Sequence, residues 1–91
     1  MKKILFSPGQ ILITPAALEL LSANNVQPMD LLLRHLSGDW GELSPSDRAE
    51  NDFSLIHGYR ILSAYTVKSS KVWLITENDR SATTFLLPSD Y

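Results

Sequence analysis

The sequence predicts an α+β domain, with N-terminal helices packed on a three-stranded antiparallel meander that a short N-terminal strand is free to extend. Three observations carry this. Two proline-led segments with helical apolar spacing, about 15–23 and 28–36, fill the first half. Three apolar runs separated by polar turns fill the stretch from about 59 to 88. The two kinds are segregated along the chain, which argues against alternating βαβ units.

In chain order, residues 3–6 and 10–13 read as short strands around a Pro8-Gly9 turn. Thr14-Pro15 reads as N-cap and first helical residue of a helix to about Ala23, which Asn24-Asn25 stops. A second helix starts at about Pro28. Met29, Leu32, Leu33 and Leu36 follow i, i+3, i+4, i+7 and are expected to face the core; Gly38 is the stop and 39–42 a turn. These two helices have the order of a helix-turn-helix. The second offers only Arg34 and His35 as basic groups, beside Asp30 and three consecutive leucines, so a plain helical hairpin is the better reading. Ser44-Pro45-Ser46-Asp47 opens a third helix that reaches Asn51, continues irregularly toward His57 and ends at Gly58.

Strands follow at about 59–67, 71–77 and 82–88, with turns at 68–71 and 78–81. Facing Lys68 with Lys71 pairs Ser63 with Thr76 and Tyr65 with Leu74. The second hairpin pairs Thr76 with Thr83, Leu74 with Phe85 and Val72 with Leu87. Alternation then places Ile61, Tyr65, Val67, Val72, Leu74, Phe85 and Leu87 on one face, with the hydroxyls of Ser63, Thr76 and Thr83 at one end. The opposite face carries Arg60, Leu62, Ala64, Trp73, Ile75, Thr84 and Leu86. It is apolar enough that helices are expected to cover one face and a partner the other.

With 91 residues, one domain spanning 1–91 is expected, and the 44% apolar content suffices for a core. There is no cysteine, which excludes a disulfide scaffold, a thiol nucleophile and cysteine-bound zinc, and fits a reducing compartment. The net charge of −2 argues against nucleic acid as partner. Met1-Lys2-Lys3 before Ile4-Leu5-Phe6 has the start of a leader, but the apolar run stops at Ser7-Pro8-Gly9. No stretch approaches the ~20 apolar residues of a membrane span. The expected location is cytoplasmic, with a protein partner or a second copy as the possible associate.

The residues singled out for chemistry are few. The hydroxyl row Ser63, Thr76 and Thr83, with Glu77, Arg80 and the tryptophan-bearing turn at Trp40, is the candidate binding set; cross-strand hydroxyl pairing is the structural reading of the same row. His35, Arg60, Tyr65 and Arg80 are the candidate catalytic residues. The alternatives are a helix C-terminal role for His35 and a cross-strand ion pair of Arg60 with Asp79 or Glu77. There is no metal-ligand spacing, no phosphate loop and no nucleophile elbow, so no metal and no cofactor is expected.

Ile13-Thr14-Pro15-Ala16-Ala17-Leu18, 34–41 (Arg-His-Leu-Ser-Gly-Asp-Trp-Gly), 58–65 and 73–84 together resemble a group of small bacterial proteins of plasmids and integrative elements. Those proteins are described as plasmid-related or loosely attached to restriction-modification loci. The resemblance covers residues 10–91 and implies a mobile-element context. It brings no catalytic residue with it, and the chain has no methyltransferase or nuclease motif. Two functions are therefore expected, in this order: a protein-binding or regulatory module, and a small toxin-like ribonuclease using His35, Arg60, Tyr65 and Arg80.

Overall fold

Each helix begins where a proline follows a polar residue. The computed structural model describes residues 3–91; Met1 and Lys2, which open the leader-like run, lie outside the described residues. Strand β1 (Gln10–Ile13) leads into α1 (Pro15–Ala23), where the Thr14 hydroxyl accepts from the Ala17 N–H. Helix α2 spans Pro28–Leu36 and α3 spans Pro45–His57. In α3 Ser44 caps Asp47 N–H, and Gly58 closes the helix in the left-handed conformation, φ 73°. Strands β2 (Ile61–Val67), β3 (Ser70–Thr76) and β4 (Ala82–Leu86) follow, and Pro88–Asp90 form a final 3₁₀ turn.

The α+β class holds, but the sheet has four strands in the order β1-β4-β3-β2, not three. The addition is β1, parallel to β4 with Ile11 beside Thr83 and Ile13 beside Phe85. The expected 3–6/10–13 hairpin does not form. Gly9, at φ +64°, lies so close to the Arg80–Ser81 backbone that a Cβ there would approach it to 2.4 Å. Pro8-Gly9 is thus laid on the β3–β4 turn, and Leu5 N–H is bonded to Leu36 C=O at 2.8 Å instead of to a hairpin partner.

The β3–β4 register is as expected, with Thr76 opposite Thr83 and Leu74 opposite Phe85. The Val72–Leu87 rung is not made, because β4 ends at Leu86 and Pro88 begins the 3₁₀ turn. In the first hairpin the reversal falls one residue early, on Lys68-Ser69 with Lys68 at φ 58°. Ser63 therefore faces Leu74 and Tyr65 faces Val72, a shift of two that leaves every side chain on its expected face.

Helices α1 and α2 cover that face. Ala17, Leu21, Leu31, Leu32 and Leu36 pack with Tyr65, Val67, Val72, Leu74 and Phe85. The α2 stripe is rotated from the expected one: Met29 and Leu33 are about half exposed, while Leu31 and His35 are buried. The opposite face is covered in part by the chain's own C-terminus, with Tyr91 edge-on to Trp73 at 5.9 Å. The outer edge of β2 is closed from within. Asn51 of α3 bonds both backbone groups of Leu62, and Ala64 exchanges backbone bonds with Trp40 and Glu42.

Candidate functional site

Ser63, Thr76 and Thr83 point from the helix-covered face of β2, β3 and β4 into the interior, where α2 places His35 among them. All four side chains are 0% exposed. Ser63 Oγ lies 2.5 Å from His35 Nδ1, and His35 Nε2 lies 2.8 Å from Thr76 Oγ1. Thr76 Oγ1 is 2.6 Å from Thr83 Oγ1, which donates to the Pro8 carbonyl at 2.8 Å.

That last acceptor sets the direction of the chain. A carbonyl oxygen only accepts, so the single hydroxyl proton of Thr83 is committed to Pro8. Thr76 must then donate to Thr83, and its oxygen accepts from His35 Nε2–H. A neutral imidazole with its proton on Nε2 has Nδ1 free to accept from Ser63. Each proton in this chain then has an acceptor, and the network ties α2 to three strands and to the N-terminal segment. Burial pushes the His35 pKa down to about 3, and the positive charge of Arg80 adds to the shift. Phe6 and Trp40 close the imidazole off, both edge-on, at 5.2 Å and 6.0 Å.

The Ser63–His35 contact has the form of a nucleophile and its base. With neither side chain exposed, no substrate atom reaches Ser63 Oγ, and the hydroxyl row is core structure. The expectation of a binding set built on Ser63, Thr76 and Thr83 is thereby corrected: their hydroxyls are spent on each other, on His35 and on the Pro8 carbonyl.

The other candidates are dispersed. Tyr65 is buried and donates to the Asp39 carbonyl at 2.6 Å; burial raises its pKa to about 12. Trp40, expected as an interface residue, is 4% exposed and belongs to the core. Arg80 donates to the carbonyls of Tyr59, Glu77 and Ser54 at 2.7–3.1 Å, and its guanidinium stacks 5.5 Å from the Phe6 ring centre. It ties the α3 C-terminus to the β3–β4 turn. Arg60 does not pair with Asp79 or Glu77: it donates to the Tyr91 hydroxyl at 2.9 Å, and the Asp79 carboxylate accepts from Ser81 N–H. Glu77 is half-buried beside this turn. Asp39 holds Arg34 at 2.7 Å. The nearby surface depressions do not converge on His35: one of about 220 Å³ lies at the α1–α2 loop, and one of about 160 Å³ between α3 and β2 includes Arg60 alone of the candidates. Among the described residues no cluster of His, Asp or Glu is arranged to hold a metal ion, and no helix is long and apolar enough to cross a membrane.

Two features lie outside the sequence reading. Asn51 is buried at 4% to cap β2, though it lies between Glu50 and Asp52 in a stretch that gives no sign of a buried polar residue. The second is the outward face of α3, where Phe53 is 50% and Ile56 80% exposed while Asn51 and Ser54 are buried. The i, i+4 pairs Leu31/His35 and Leu32/Leu36 were the available signal for His35 as a core residue. Comparison of the chain with family models, curated proteins and solved structures finds no match.

Proposed function

We propose that this chain is a small protein-binding module of a bacterial mobile element, and that it binds through the outer face of α3. The inverted amphipathicity of α3 carries the reading. An ordinary surface helix buries its apolar stripe. Here Ala49, Phe53 and Ile56, spaced i, i+4, i+7, face solvent, and Phe53 stacks with His57 at 4.1 Å and with Tyr59 at 5.8 Å. Exposed Glu50 and Asp52 flank the stripe. Such a surface suits an amphipathic segment with apolar anchors and basic flanks. The mobile-element context rests on the sequence resemblance. The ribonuclease alternative has less support, because its four residues share no cleft.

The test is a comparison of wild type with Phe53→Ser/Ile56→Ser in the bacterial host, by quantitative affinity purification. The double variant is expected to keep the wild-type circular dichroism and to lose at least tenfold of the most enriched partner, whose contacting segment, mapped by cross-linking, is basic and amphipathic. Identical enrichment by both proteins defeats the proposal. RNA cleavage by wild type that disappears in Arg60→Ala or Arg80→Ala shifts the assignment to the ribonuclease.

A further inference from the structure

The C-terminal end of α3 carries three exposed rings packed on one another. Phe53 is 50% and Tyr59 54% exposed, and His57 is exposed beside them. Their centroids lie 4.1 Å (Phe53–His57), 5.8 Å (Phe53–Tyr59) and 6.5 Å (His57–Tyr59) apart, and each pair of planes is within 32° of parallel. Phe53 and His57 share a helix side at i and i+4, and the left-handed Gly58 brings Tyr59 back beside them. The charges around this stack are mainly negative. Glu50 and Asp52 are exposed just before Phe53. The β3–β4 turn adds exposed Asp79 and half-buried Glu77. Arg80 brings that turn close, since one of its nitrogens bonds both the Tyr59 and the Glu77 carbonyls, at 2.7 Å and 3.0 Å. The two guanidinium groups nearby are engaged, Arg80 with these carbonyls and Arg60 with the Tyr91 hydroxyl. A helix C-terminus also favours a cation.

We infer that this stack takes the guanidinium of an arginine side chain, the basic flank of the segment bound on α3; the inference rests on the reading of α3 as the binding face. Near-parallel rings form a platform that a flat group extends. They do not enclose a volume, so a methylated ammonium, which is held by a cage of rings, is a poor fit. A guanidinium is planar, weakly hydrated and stacks on aromatic faces, whereas a lysine ammonium is a compact, strongly hydrated charge. A nucleobase is also flat, but its phosphate meets the carboxylates of Glu50, Asp52, Glu77 and Asp79. The arginine sits at the Tyr59 end of the Ala49, Phe53 and Ile56 stripe.

The test is a titration of the full chain with N-acetyl-arginine amide and, separately, N-acetyl-lysine amide, each to roughly 100 mM, followed by the ring proton resonances. The expected result is that the Phe53, His57 and Tyr59 rings shift together and saturate at least threefold more tightly with the arginine probe. Tyr59→Ser should remove most of that advantage. The two probes are compared on wild type, so the result stands even if the variant folds poorly. Equal affinity for both probes overturns the inference, because charge alone then explains binding. Tighter binding of adenosine monophosphate than of the arginine probe also overturns it, and assigns the stack to single-stranded nucleic acid. If the rings respond to neither amide while Phe53→Ser/Ile56→Ser still loses its partner, the arginine inference falls and α3 remains the binding face.

Discussion

Replacement of His35 by leucine is expected to destabilise the fold by about 2–4 kcal/mol, although the side-chain volume is nearly kept. The loss arises from the partners. Ser63 loses the acceptor for its proton and Thr76 loses its donor, and both sit at 0% exposure where water does not replace them. Each stranded buried polar group costs about 1–3 kcal/mol, against a total of about 5–15 kcal/mol for a domain. The triple variant His35→Leu/Ser63→Ala/Thr76→Val removes both sides of the two imidazole contacts and should recover much of the loss, since a wholly apolar replacement leaves fewer groups unpaired. Thr83 retains its bond to Pro8 in that background. Urea midpoints of the single and triple variants measure the coupling directly. A His35→Leu cost below about 0.5 kcal/mol contradicts the network.

The same residue sets a pH dependence. His35 titrates near 6.5 in the unfolded chain and about 3 in the folded one, so between those values the unfolded chain holds a proton that the folded chain refuses. Stability contributed by the neutral imidazole is complete above about pH 6.5. It falls as the pH drops toward 3, by up to ~1.4 kcal/mol per pH unit. His35→Leu should lack this contribution, which a urea series at several pH values reads as a shallower slope.

Gly41→Ala is expected to be the second severe lesion, at about 3–5 kcal/mol, and to release the segment 40–42 from the edge of β2. Gly41 has φ +76°, and a Cβ there would stand 2.0 Å from the Ala64 carbonyl oxygen and 2.7 Å from the Tyr65 ring. The backbone obstacle cannot swing aside as a flexible side chain would. Left-handed alanine alone costs about 1–2 kcal/mol. Separation of the strands also breaks the Trp40–Ala64 and Glu42–Ala64 backbone bonds, at 3.1 Å and 2.7 Å, and loosens Trp40 over His35. Hydrogen exchange at Ala64 and Glu42 should accelerate well beyond the global change. Wild-type protection there contradicts the account. Gly58→Ala is the internal control: it shares a positive φ of 73° but has open space at its Cβ, and should lose only the conformational term.

The local code was legible and the long-range pairing only partly so. Prolines behind Thr14 and Ser44, the Asn24-Asn25 stop and Gly58 mark the helix ends through chemistry carried by one or two residues. Alternation sorted the faces of β2, β3 and β4 correctly, because a two-residue shift in the first hairpin leaves facing unchanged. The shift itself was not legible, since it depends on Lys68 taking a positive φ that nothing in Val67-Lys68-Ser69-Ser70 marks in advance. Strand β1 was placed but mispaired, because its parallel partner is about seventy residues away in sequence. The hydroxyl row was found as a row. Its meaning required His35, which a rotation of α2 by one position moves from beside the core into it. The exposed face of α3 was missed because Phe53 and Ile56 lie in a polar segment whose periodicity gives no sign of which side is buried.

The most direct measurement of the central claim is the imidazole ¹⁵N–¹H spectrum of His35 followed from about pH 8 to about pH 4. A core network that runs from Ser63 through the imidazole to Thr76, Thr83 and Pro8 requires a neutral ring with the proton on Nε2, unchanged until the protein unfolds. A midpoint near the ordinary histidine value would contradict the buried neutral ring, and a proton on Nδ1 at neutral pH would contradict the direction assigned to the chain.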